Sequence, residues 1–100
     1  MAYYMIQRGR AKEAWRNVSK DDKEKWRSGH RKARQEAGIE RLAEYPSYLR
    51  DNITTVVSEI PSVEAWDEYI RKVRSSRGLD VDRYFEYESD LCFKREQMHG

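Results

Sequence analysis

A histidine occupies the one weakly apolar stripe of a heavily charged segment. In WRSGHRKARQEAG, residues 26–38, helical spacing aligns Trp26, His30, Ala33 and Ala37. An unperturbed imidazole titrates at about 6.5, so His30 in a sheltered gap would be able to move protons at neutral pH. Gly29 and Ala33 leave room beside it, where a core that wanted filling would use Leu. The plainer reading is a core histidine bonded to a backbone carbonyl or a carboxylate. Glu59 is the second candidate. If its strand parity faces the helices, desolvation raises its pKa and makes it a general base opposite His30; if not, it is a surface charge. Arg41, and Arg8 with it, offers a cation to an anionic substrate or an enolate-like intermediate. The expected catalytic set is His30, Glu59 and Arg41.

Aromatic residues are the other chemistry-bearing group: Tyr3, Tyr4, Trp26, Trp66, Tyr69, Tyr84, Phe85 and Tyr87. Of these, Tyr4, Trp26, Trp66 and Tyr87 are expected as walls of a pocket for a flat aromatic or cyclic ligand, giving stacking and a few hydroxyl groups. A core and interface built of aromatics is the competing reading. Cys92 has no adjacent activator and reads as a buried structural thiol.

The elements that must position these groups follow from periodicity and punctuation. AYYMIQR, residues 2–8, is β-like, with Tyr3, Met5 and Gln7 on one face and Tyr4, Ile6 and Arg8 on the other, and Gly9 is expected to end it. A short helical turn follows at 11–18. Ser19 reads as an N-cap, with Asp21, Asp22 and Glu24 near the positive end of the dipole, and Gly38 as the C-terminal stop. IERLAEY, 39–45, is a plausible strand closed by Tyr45-Pro46, and NITTVVSEI, 52–60, is the most β-prone stretch of the chain. After Pro61, Ser62 caps a helix with the stripe Val63, Trp66, Ile70 and Val73, Tyr69 alongside. SSRGLD breaks it, and residues 83–95 read as a last strand, with Phe85, Tyr87, Leu91 and Phe93 sharing one parity.

The order β-α-β-β-α-β is the α+β, ferredoxin-like arrangement: a four-stranded antiparallel sheet with two helices on one face. The opposite face, left bare, is an association surface, and sheet-to-sheet homodimerisation is expected. One hundred residues suit one domain, 1–100. The chain is 38% charged, yet its 12% aromatic content argues against disorder. No apolar run approaches a membrane span, no signal peptide begins the chain, and a single cysteine excludes an internal disulfide, so the cytoplasm is the default location.

Charge is uneven. Residues 1–50 hold 13 Lys and Arg against 7 Asp and Glu, whereas 51–100 hold 7 against 11. The basic run from Arg8 to Arg34 is interspersed with carboxylates, as on a solvated helix face. AWRNVSKDDKEKW weakly resembles a DNA-bending HMG box, but the β-rich 52–60 does not fit that fold, and the strands lack an RNP-like consensus. Nucleic acid is therefore a minor reading.

The segment W-x-x-V-S-x-x-D-K-x-x-W (Trp15 to Trp26), SEIPSVEAWDEYI (58–70) and DRYFEYESDL (82–91), set in this element order, resemble the dimeric α+β barrel superfamily. The nearest likeness is to small darcynin-like and antibiotic-biosynthesis monooxygenase-like proteins. The superfamily includes cofactor-free monooxygenases, polyketide cyclases, muconolactone isomerases and haem-degrading enzymes. The resemblance implies a ligand held between sheet and helices, and fold likeness alone does not set the chemistry. A haem-degrading member would carry an Asn on the first strand and a ligating His after the second helix. Here Gln7 stands on that strand, and no His lies between His30 and His99.

The expectation is a cofactor-free, metal-free tailoring enzyme of natural-product type, a cyclase, isomerase or monooxygenase with a small-molecule substrate. A non-catalytic ligand-binding or accessory module of the same fold is the alternative.

Overall fold

The computed structural model describes residues 2–50 and 52–93. Its elements run β1 (Tyr3–Ala11), α1 (Glu13–Arg16), α2 (Lys20–Ala37), β2 (Glu40–Pro46), β3 (Thr54–Ile60), α3 (Val63–Ser75) and β4 (Phe85–Phe93). The four strands form one antiparallel sheet in the order β2-β3-β1-β4. α2 and α3 pack against each other over one face of it. This is the ferredoxin-like α+β fold expected from the element order.

Both expected N-caps form. The Ser19 hydroxyl accepts from the Asp22 N–H at 3.1 Å and the Ser62 hydroxyl from the Ala65 N–H at 3.0 Å. Gly38 ends α2 in the left-handed region, φ 72°, and receives no penalty for it because it has no Cβ. Asn52 takes the same region, φ 64°, ahead of β3, which begins at residue 54 rather than 52. β2 lies at the sheet edge, slips register between Arg41 and Ala43, and ends on Pro46, so its outer edge is poorly suited to further pairing.

Three local expectations are corrected. Gly9 does not end β1, which continues to Ala11 paired with β4. A Cβ at Gly9 would lie 2.5 Å from the Glu86 carbonyl oxygen and 2.7 Å from the Tyr87 Cβ, so glycine is there for the close approach of β4. Val63 stands exposed at the first turn of α3, and the buried stripe of that helix is Trp66, Tyr69 and Val73. Cys92 is half-buried on the sheet face away from the helices, paired with Tyr4, rather than a core thiol. β4 begins at Phe85, after a turn at 82–84, and residues 94 and 95 of the expected strand lie outside the described residues.

Register settles which side of each strand meets the helices. Met5, Ile60 and Tyr3 pack with Ala33, Trp66 and Val73, so the inward residues are the odd ones of β1 and β4 and the even ones of β3. This layer is tightly filled at the Met5–Ile60 end. It is open at the other.

Candidate ligand cavity between sheet and helices

The open end of the layer is a cavity of about 640 Å³. Its floor is Gln7, Gly9 and Ala11 of β1, Thr54 and Val56 of β3, and Phe85 and Tyr87 of β4. Its roof is Trp26, His30 and Arg34 of α2 with Tyr69 and Ile70 of α3. The space follows from side-chain size: where the packed end has Met5 and Ile60, the open end has Gly9 and Ala11. The volume is within the range of small-molecule sites.

One wall is aromatic. Trp15, fixed by the four-residue α1, meets Trp26 at 5.0 Å between ring centroids and Phe85 at 5.0 Å, and Trp26 meets Phe85 at 5.3 Å. These tilted and edge-on arrangements suit aromatic quadrupoles and leave ring surface facing the cavity. Trp26 also lies on the His30 ring, with 3.8 Å between centroids.

His30 is 3% exposed, and both its nitrogens are engaged. Nε2 lies 3.0 Å from the Leu79 carbonyl oxygen, which only accepts, so Nε2 carries the proton and donates. Nδ1 is therefore the acceptor, with the Tyr69 hydroxyl donating to it over 3.4 Å. Burial, against the opposing pull of the Leu79 bond and reinforced by the charges of Arg34 and Arg41, lowers the His30 pKa to about 4. The imidazole is neutral at physiological pH. Burial likewise pushes the Tyr69 hydroxyl up, although the Arg34 and Arg41 charges oppose it. The Trp26 indole N–H donates to the Asp80 carbonyl at 3.0 Å, so α2 ties down the 79–80 segment through two side chains. Gly29 permits this closeness, because a Cβ there would come within 2.6 Å of a Leu79 methyl.

Among the residues expected from sequence, His30, Arg41, Trp26 and Tyr87 meet at this cavity. Three do not. Glu59 pairs with Tyr4 across β1 and β3, and both project from the face opposite the helices, so Glu59 does not oppose His30. Arg8 shares that face and lies 4.0 Å from Asp90. Trp66 fills the packed end of the layer, 5.4 Å from Tyr69 between ring centroids. The lining adds Trp15, Arg34, Tyr69 and Phe85. Arg34 was findable, since it falls one helical turn beyond His30. Trp15 was not, because a four-residue helix carries no periodicity. Among the described residues no cluster of three metal-ligating side chains occurs, and no helix is long and apolar enough to cross a membrane.

No family model and no curated protein matches the chain. Solved structures do. A provisional chlorite dismutase superposes with a TM-score of 0.69 at 21% identity over 91% of this chain, which spans only 41% of that protein. Two structures of SnoaB, a cofactor-independent oxygenase from Streptomyces nogalater, give TM-scores of 0.62 and 0.60 at 10% and 9% identity, covering 99% of this chain and 98% of theirs. A conserved protein from Methanosarcina mazei gives 0.53 at 14% identity over 95% of this chain and 94% of its own. Identities this low speak to fold alone. The chain shares its ferredoxin-like α+β fold with these proteins.

Proposed function

We propose that this domain is a cytoplasmic homodimer that binds a flat aromatic or cyclic metabolite in the cavity between sheet and helices and carries out cofactor-free tailoring of it, by cyclisation, isomerisation or oxygenation. The observation that carries the reading is the cavity itself: about 640 Å³, with Trp15, Trp26 and Phe85 on one wall and the His30–Tyr69 pair in its roof. The fold shared with a cofactor-independent oxygenase supports it. Pairing of two copies through the outer sheet face, which carries Tyr4, Ile6 and Val57, would complete the barrel.

In this site His30 positions rather than abstracts. Burial lowers the His30 pKa to about 4 and pushes the Tyr69 hydroxyl up, so the proton of the pair stays on the Tyr69 oxygen. The pair instead fixes the Tyr69 oxygen in the cavity roof, beside the Arg34 guanidinium. The substrate's own acidity then carries proton loss, the proton passing to solvent water, with Arg41 and its neighbours stabilising the anion that forms.

The same geometry favours a second reading, a ligand-binding module without turnover, because neither His30 nor Tyr69 is poised as a base near neutrality. Incubating the protein aerobically with hydroxylated polycyclic aromatics, while following oxygen uptake and product by chromatography, separates the two. Conversion that disappears in Tyr69→Phe supports catalysis. Saturable binding without conversion of any member of the panel supports the module.

A further inference from the structure

The cavity carries more positive charge than an aromatic ligand alone would use. Arg10, Arg27, Arg31, Arg34 and Arg41 border it against one carboxylate, Glu44. Arg41 pairs with Glu44 at 2.9 Å, and Arg10 pairs at the rim with Glu86 at 3.0 Å. Arg27 lies over the Trp15 ring, 5.6 Å from its centroid. Among the described residues, no carboxylate is within ion-pair distance of Arg31 or Arg34.

Arg34 is the informative one. It is half-buried in the roof, beside the Tyr69 hydroxyl. Burial and the nearby charges of Arg41 and Arg31 all disfavour its charged form. A solvated surface arginine swings away from such company. One held in partial desolvation with like charges, offset only by a neutral hydroxyl, is held at a cost. An anion arriving beside it relieves both the desolvation and the repulsion. A guanidinium fork also matches the two oxygens of a carboxylate.

We infer that the ligand is an aromatic carboxylate whose carboxylate group is bound by Arg34 and Arg41, with its ring against Trp26 and Phe85. The inference rests on the cavity reading above and adds the ligand's charge and the residue that selects it. Arg34 discriminates acids from their neutral isosteres, and the aromatic wall contributes to both alike.

Calorimetric titration with 2-naphthoate and with its neutral isostere 2-naphthamide tests this. The acid is expected to bind at least ten-fold tighter than the amide, with an affinity that falls as salt is raised. Arg34→Gln should weaken the acid by about ten- to a hundred-fold, as loss of a charge-assisted contact does, and leave the amide within about two-fold. Arg34→Lys, which keeps the charge but not the fork, should fall between. Arg8→Gln, on the opposite sheet face, should leave both unchanged. Equal affinity for acid and amide overturns the inference while leaving the cavity reading intact. Loss of acid binding in Arg8→Gln as large as in Arg34→Gln also overturns it, since only diffuse charge would then be at work. If neither compound binds at millimolar concentration, the cavity reading falls and takes the inference with it.

Discussion

Replacing His30 by glutamine should remove a large part of the acid sensitivity of this fold. In the folded chain the imidazole is 3% exposed, donates to the Leu79 carbonyl and accepts from Tyr69; burial, helped by the charges of Arg34 and Arg41 and opposed by the Leu79 bond, holds its pKa at about 4. Unfolded, it titrates at the ordinary 6.5. The folded state therefore binds fewer protons between these values, and stability rises with pH across that window. It is fully present above about 6.5 and is lost as pH falls towards 4. The whole span of 2.5 units corresponds to about 3.4 kcal/mol, of which about 2 kcal/mol is lost between pH 7.5 and 5. With a urea m-value of about 1–2 kcal/mol/M, the midpoint should fall by roughly 1–2 M over that interval. Glutamine is able to donate to Leu79 and accept from Tyr69 without titrating, so its curve should be flatter by that amount, leaving only what the carboxylates contribute. Urea unfolding followed by far-UV circular dichroism at pH 5.0 and 7.5 makes the comparison. Parallel pH dependence in the two proteins would refute the assignment of His30 as a buried neutral imidazole.

Two further outcomes test the scaffold. Gly9→Ala should destabilise by about 1–3 kcal/mol in thermal or urea unfolding, because the added methyl meets the Glu86 carbonyl oxygen at 2.5 Å, a backbone atom with little freedom to yield. Ser62→Ala should cost about 1 kcal/mol by the same measurement, since it strips the cap from the Ala65 N–H at the start of α3.

The sequence was most legible where local chemistry is self-contained. Ser19, Gly38 and Ser62 mark helix ends through their own side-chain and backbone geometry, and each is found in that role. The stripe Trp26, His30, Ala33 and Ala37 likewise faces inward, because helical spacing leaves one weakly apolar side. Strand parity was not legible. In β3, Thr54, Val56, Ser58 and Ile60 alternate with Thr55, Val57 and Glu59, and apolar residues occur on both faces. The inward set even includes the buried Ser58. β1 is equally balanced, so Tyr4 and Glu59 were as plausible inward as outward until pairing with β4 and packing against Trp66 fixed the side. Trp66 shows a different limit. Its own burial was legible, but which end of the layer closes depends on Met5 and Ile60 against Gly9 and Ala11, a comparison that needs the register first. Arg34 has a legible place one turn beyond His30, but it shares α2 with many other charged residues. Its partial burial, not its type, is what sets it apart.

The central claim is that the open end of the sheet–helix layer binds an aromatic ligand, and the three tryptophans report on it directly. Two of them, Trp15 and Trp26, line the cavity, whereas Trp66 is packed at the closed end. Following the three indole N–H resonances in a two-dimensional ¹⁵N spectrum during titration with 2-naphthoate should show the Trp15 and Trp26 signals moving along one saturable curve while Trp66 moves far less. Three static signals, or a response centred on Trp66, would contradict the account.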